Sequence, residues 1–199
     1  EACAAAAYRQ LVHFLASQAE SQVLRIWNYL PDINAGEGDD ERYKRFCNGR
    51  ALGMGEAFTG GFPAATAIGS LGGARHLQVY LLASTLPGAR VENPRQVSAW
   101  RYPRQYGPTP PSFARAMHLP AGDALAISGT AAVVGHASTH HDDLSAQLAE
   151  TLSNLEALLI AADMPAGFDT HSPLKAYVRR TSDARTVREF LRQHLPGVP

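Results

Sequence analysis

Five prolines, Pro94, Pro103, Pro108, Pro110 and Pro111, are concentrated in residues 94–111. Proline lacks an amide donor and its ring clashes with a preceding helical turn, so neither a helix interior nor a central strand can run through this segment. It must be an ordered loop or a sheet edge, with regular structure built before and after it. The same region is chemically biased. From residue 93 to residue 122 there is no acidic side chain, whereas Arg95, Arg101, Arg104 and Arg115 are interleaved with Trp100, Tyr102, Tyr106 and Phe113.

On the N-terminal side, Tyr8, Leu11, Val12 and Leu15 recur at i, i+3, i+4 and i+7, which predicts a helix over 4–24 with one buried stripe. An alternating apolar run over 23–30 predicts a strand, since Pro31 disfavours helix at Leu30. Residues 34–40 read as a loop. Asp39 or Asp40 is expected to cap a second helix through Glu41, Tyr43, Phe46 and Cys47 that fades at Gly53 and Gly55. Within the glycine-rich stretch 58–73, residues 64–68 read as a short strand, and 76–83 as a clearer one with Leu77, Val79 and Leu81 on one face.

Beyond the prolines, 123–134 reads as a strand pair or one bent strand, with Gly129 marking a bulge or a close backbone approach. A long helix is expected over 142–162, its stripe made by Leu144, Leu148, Leu152, Leu155 and Leu159. A strand over 174–178 and a helix over 183–194, with Val187, Phe190 and Leu191 facing inward, complete the pattern. Strands alternating with helices imply an α/β sandwich with helices on one face of a mixed sheet.

A chain of 199 residues with 45% hydrophobic content can bury one core, roughly 70% of the unfolded surface. Eighteen basic residues balance eighteen acidic ones, so no broad basic face recruits nucleic acid or an anionic membrane, and any anion site must be local. The alanine run at the start carries Glu1, lacks a basic leader and turns amphipathic by Tyr8, the reading of a poor signal peptide. No run of 18 apolar residues occurs, which predicts a soluble protein. Cys3 and Cys47 are too few for a disulfide framework and suit a reducing compartment, read as the cytoplasm.

Two readings of the arginine segment stand side by side. Guanidinium forks match carboxylates bidentately, aromatic faces hold the apolar part of a ring, and prolines limit the ordering cost of binding. A small, multiply carboxylated, partly unsaturated ligand fits. Arginines in a proline-rich loop can equally be solvated or stacked on neighbouring aromatics. Elsewhere, His136, His140, His141 and Asp142 could suggest zinc, but they precede a helix and read as loop and cap, with Asp142 or Asp143 at its N-terminus. Glu150 shares a helix face with Gln147 and Asn154 and could be offered as an acid, but a solvated or subunit-facing role is the preferred reading. Cys47 reads as a small core residue. The glycines of 69–73 lack a following Lys-Ser/Thr and do not read as a phosphate loop.

The words Val91-Glu92-Asn93-Pro94-Arg95-Gln96-Val97-Ser98-Ala99, Arg101-Tyr102-Pro103-Arg104-Gln105-Tyr106-Gly107-Pro108 and Pro111-Ser112-Phe113-Ala114-Arg115-Ala116 resemble the signature of chorismatases, relatives of the RidA-like trimeric fold that remove pyruvate from chorismate. Trp27-Asn28-Tyr29-Leu30-Pro31-Asp32-Ile33-Asn34, Glu41-Arg42-Tyr43 with Phe46 and Gly49-Arg50, and Ser128-Gly129-Thr130-Ala131 with Gly135-His136-Ala137-Ser138 match in the same order. The resemblance implies a RidA/YjgF-like (chorismate-mutase-like) α/β fold, a mixed β-sheet with helices packed on one face. It implies a single chorismatase-like domain over 1–199, with an N-terminal helical and loop portion over 1–60 and a RidA-like core over 61–199 that lacks the usual last strand.

By that resemblance Tyr102 and Arg115 fall at substrate-pocket positions, as do Arg104, Arg50 and Gly129. Ala131 falls where a small residue lets the ring approach and helps choose the product. The implied reaction converts chorismate into pyruvate plus a hydroxybenzoate or a dihydroxycyclohexadiene carboxylate. No cofactor or metal is called for, and the implied partners are chorismate itself and further copies in a homotrimer. An acid must protonate the enol-ether methylene carbon before water or a ring position captures the cation, and arginine stays protonated throughout. The family's acid is a glutamate on a final strand beyond Pro199, and part of its pocket comes from an N-terminal portion, so neither is expected to have a counterpart in this chain. A chorismate binder without turnover and a RidA-type imine deaminase remain as alternatives; the latter relies on an arginine from the same final strand.

Overall fold

The computed structural model describes residues 1–70, 76–120 and 122–199. Of the glycines within 69–73, Gly72 and Gly73 therefore lie outside the described residues. Helix α1 (Ala2–Leu15) leads into strand β1 (Gln22–Pro31), helix α2 (Arg42–Met54) and strands β2 (Ala64–Ser70) and β3 (Gln78–Ser84). Short strands β4 (Ala89–Val91) and β5 (Ala116–His118) bracket the proline-rich segment, which is irregular apart from 3₁₀ turns at Ala99–Arg101 and Arg104–Tyr106. Strands β6 (Leu125–Ile127), β7 (Val133–Val134) and β8 (Ala137–Ser138) and helices α3 (Leu144–Ala161) and α4 (Ala184–His194) follow.

Strand β1 pairs in parallel with β2 and antiparallel with β3, giving a mixed sheet. Strands β4, β5 and β6 form an antiparallel sheet. The seam between the two lies along β2. Ala114 bridges to Ala64, Gly129 N–H donates to Ala65 O at 3.2 Å, and Ser128 Oγ accepts from Ala65 N–H while donating to Ala114 O. Helices pack on one face of the mixed sheet. Tyr8, Phe46, Cys47 and Met54 of α1 and α2 meet Ile26, Leu30 and Ala65 there, whereas Leu158 and Ala162, at the end of α3, meet Val91 and Ala116 of the antiparallel sheet. Each large side chain fully buried this way contributes roughly 1.5–3 kcal/mol.

Several sequence expectations change. Helix α1 ends at Leu15, not near residue 24, because residues 16–21 offer no further apolar stripe and Ser17 and Gln18 turn their amides back onto Phe14 O and Leu15 O. Neither Asp39 nor Asp40 caps α2. Its first amides, from Arg42 and Tyr43, donate to the carbonyls of Ala35 and Ile33, which frees Asp39 for another partner. Gly53 does not end α2 either. It lies where a Cβ would stand 2.5 Å from Ala5 O, so its absence lets α1 approach, and Gly55 (φ +50°) is what stops the helix.

Residues 123–134 form neither a strand pair nor one strand. Strand β6 pairs with β5 and β7 with β8, because 128–132 bends away to run along β2. On α3 the expected leucine line faces inward, with Leu159 buried and Leu144, Leu148, Leu152 and Leu155 half-buried, but the fully buried positions are Asn154 and Leu158 beside it. Residues 174–178 carry no ladder. This segment is held by Tyr177 OH against Tyr29 OH (2.7 Å) and by Leu174 N–H to Pro199 O.

Candidate functional site

A cavity of about 270 Å³ opens where three parts of the chain converge. Its size sits near the lower end of small-molecule sites, roughly 300–1,000 Å³. Helix α2 and the residue before it contribute Glu41, Tyr43 and Lys44, and the proline-rich segment contributes Gln96, Tyr102, Tyr106, Pro111, Phe113 and Arg115. The bend between β6 and β7 supplies Gly129, Ala131 and Val133. A second, shallower depression of about 540 Å³ near Glu1 and Asn48 has no lysine or arginine in its wall.

Arg115 is the cation at the centre of the wall, and only 6% of its surface is exposed. Its position immediately before β5 is held from both sides of the backbone, by its N–H to Glu92 Oε1 at 3.2 Å and by its carbonyl accepting from Ser128 N–H at 2.9 Å. Nη2 donates to Val97 O (2.8 Å) and to Tyr102 OH (2.9 Å). The guanidinium carbon lies 5.2 Å from the Phe113 ring centre and 5.6 Å from that of Tyr102, within cation–π range. Nε is buried without a hydrogen-bond partner among the described residues, a donor that calls for an explanation.

The aromatic wall is braced from behind. Tyr102 and Tyr106 lie 5.0 Å apart, and His136 packs edge-on against both, with a 3.1 Å hydrogen bond joining its Nδ1 to Tyr106 OH. Burial pushes the Tyr43 phenol well above its ordinary pKa, so it stays a neutral hydroxyl. Burial likewise raises the Glu92 carboxyl, against the opposing pull of the Arg115 N–H and the Ser98 hydroxyl. A Cβ at Gly129 would stand 3.1 Å from Thr66 Cγ2, so the bend lies directly on β2 and the close approach anticipated from the sequence is real. Thr66 itself is held by buried Arg25, whose Nη2 donates to its hydroxyl.

The site residues named from sequence thus separate. Tyr102, Arg115, Gly129 and Ala131 are brought together around the cavity. Arg104 is not; both its terminal nitrogens donate to the Asp39 carboxylate, at 2.9 and 2.6 Å, on the exposed surface. Arg50 is buried between α1 and α2, its guanidinium carbon 5.2 Å from the Tyr8 ring centre, and is not part of the cavity wall. Arg95 is bound to Asn154 Oδ1 at 2.8 Å and Glu150 Oε1 at 2.5 Å, so Glu150 is an ion-pair partner and not a solvated residue. Arg101 is exposed, and Trp100 packs on Phe62 away from the cavity.

Among the described residues no group of histidine, cysteine and carboxylate side chains is arranged to hold a metal. His140 pairs with Glu150 Oε2, and Asp143 caps α3 by accepting from Ala146 N–H. Sequence reasoning missed Glu41, Tyr43, Lys44, Gln96 and Val133 as wall residues. Tyr43 and Gln96 lie inside the matched words, whereas Lys44 carries no such signal. No helix among the described residues is long and apolar enough to cross a membrane.

Comparison with known proteins agrees with this architecture. The family model described as "Chorismatase FkbO/Hyg5-like, N-terminal" matches residues 1–83. A 3-hydroxybenzoate synthase of Streptomyces hygroscopicus is 40% identical, over 94% of this chain and 60% of its own length. Chorismatases of Streptomyces hygroscopicus and Streptomyces rapamycinicus are 38% and 36% identical, over 92% and 96% of this chain and 57% and 61% of their own. A chorismatase crystal structure superposes with a TM-score of 0.87 at 33% identity, covering 98% of this chain and 62% of that one. The chain spans about three fifths of the length of these relatives. From the ordered sequence words and from a fold that superposes along nearly its whole length, the chain belongs to the chorismatase family of the FkbO/Hyg5 type.

Proposed function

We propose that this chain binds chorismate in the cavity around Arg115 and releases pyruvate from it, leaving a hydroxybenzoate or a dihydroxycyclohexadiene carboxylate. The carrying observation is the buried Arg115 fork with an unpartnered Nε inside a wall of Tyr102, Tyr106 and Phe113. Planar cation and aromatic faces suit a carboxylate on an unsaturated ring. Protonation of the enol-ether methylene carbon makes an oxocarbenium centre. Water adds there, and the resulting hemiketal collapses to pyruvate and the ring alcohol, from which loss of one water leaves the aromatic hydroxybenzoate. Arg115 holds and orients throughout and supplies no proton.

A second reading, a chorismate binder without turnover, draws support from the same wall. Of its described residues Glu41 is the one carboxyl, and it stands 4.0 Å from the Lys44 ammonium instead of alone over the cavity. Incubating the folded protein with chorismate and following pyruvate through lactate dehydrogenase separates the two. Pyruvate formation supports the enzyme; a chorismate-dependent thermal shift without pyruvate supports the binder, and neither signal rejects both. The proposed assembly is a homotrimer in the cytoplasm. Exposed Tyr80 and Leu82 on β3 are consistent with a covered sheet face, and sedimentation equilibrium tests the copy number.

A further inference from the structure

Resting on the chorismate reading, we propose that Lys44 is the second carboxylate anchor of the cavity, taking the carboxylate of the flexible side arm while Arg115 takes that of the ring. Lys44 lies in the first turn of α2, lines the cavity, and has a side chain only 16% exposed. Lysine is seldom buried to this degree without a task for its charge. Its stem is aimed by the turn at Gly107 (φ +130°), where a Cβ would stand 3.3 to 3.5 Å from the β, γ and δ carbons of Lys44. The glycine therefore permits both the turn and the close packing of the Lys44 stem beside the cavity.

The ammonium is loosely engaged. Its carboxylate neighbour, Glu41 Oε2, stands at 4.0 Å, the outer limit of an ion pair, so three rotatable donors remain available to a better acceptor. Arg104 and Arg95 cannot substitute, being tied to Asp39 and Glu150. Two cations from different elements thus face one small space. Arg115 has the aromatic company that a ring demands, and Lys44 has the flexible reach that a side arm demands.

This division has a consequence for turnover. The cleaved bond separates the two carboxylates, one departing with pyruvate and one with the ring, so the substrate engages both anchors and each product only one. Tight substrate binding and easy product release follow from the same pair of side chains.

Isothermal titration of the wild-type chain and Lys44→Met with chorismate and with 3-hydroxybenzoate tests the assignment. Methionine keeps the packed stem and removes the charge. The expected result is about a 30-fold loss for chorismate with less than about twofold change for 3-hydroxybenzoate, and Lys44→Arg restoring most chorismate affinity. Unchanged chorismate binding by Lys44→Met, or an equal loss of both ligands, overturns the assignment while leaving the chorismate reading intact. Should the wild-type chain ignore chorismate, that reading fails by itself. Isophthalate against benzoate then decides Lys44 independently: a preference for isophthalate that Lys44→Met abolishes supports the anchor, and its absence overturns it.

Discussion

The Arg115 guanidinium donates to the Tyr102 phenol oxygen across 2.9 Å, joining a cation just before β5 to a side chain that follows a 3₁₀ turn in the proline-rich segment. The bond fixes the plane of the fork before any ligand enters. Arg115→Lys keeps the charge and loses the planar fork, and is expected to weaken chorismate binding roughly 100-fold, about 2–3 kcal/mol. Tyr102→Phe, which frees the fork to rotate, is expected to cost roughly tenfold. Titration calorimetry measures both, and wild-type affinity in Arg115→Lys would remove the cavity from consideration.

Arg104 tests the opposite case. Its exposed pairing with Asp39 points it away from the cavity wall. Arg104→Ala should leave chorismate affinity within about twofold of the parent, as expected for a surface pair. A tenfold loss would mean that Arg104 reaches the ligand.

Asn154 is the hub that holds the site's far wall to α3. Completely buried, it donates to Ala131 O and Val133 O, both at 2.9 Å, and accepts from Arg95. Asn154→Ala removes the side-chain donations to Ala131 O and Val133 O together with the acceptor for Arg95 Nη1, and should destabilise the protein by about 3 kcal/mol. Denaturant unfolding reads this directly, and a change too small to measure would show that water replaces the amide.

Glu92 gives a pH signature. Burial raises its carboxyl above the ordinary value of 4.5. A carboxyl with a raised folded pKa stabilises the fold while protonated, fully so below the unfolded value, and that contribution is lost as pH climbs through the folded value. Glu92→Gln keeps an oxygen for the Arg115 N–H and removes the titration. Its Tm relative to the parent should therefore be higher at pH 7 than at pH 4. A Tm difference independent of pH would place the ionisable carboxyl outside the stability balance.

Much of the architecture is legible locally. The Tyr8 stripe, the alternation ending at Pro31 and the proline run each specify an element through their own backbone and side-chain constraints, and the structure contains α1, β1 and the irregular segment accordingly. Errors arose where a choice depended on a distant partner. Residues 174–178 have strand composition but no ladder, and Asp39 has capping chemistry but engages Arg104. On α3, leucines announced the buried face, yet the fully buried positions include Asn154 because three carbonyl and guanidinium groups from other segments converge on it.

The sequence by itself determined that an arginine-rich, acid-free, proline-stiffened segment exists, and its ordered words identified the family. Those properties lie in residue type and order. The resemblance put both Arg104 and Arg115 in the pocket and could not separate them, since a guanidinium goes to whichever carboxylate, carbonyl or ring the fold places beside it. Tertiary structure tied Arg95 to Glu150 and Arg104 to Asp39, and left Arg115 with an unpartnered donor in the wall that Lys44 also lines. The charges were written in the chain, but their availability depended on long-range pairing.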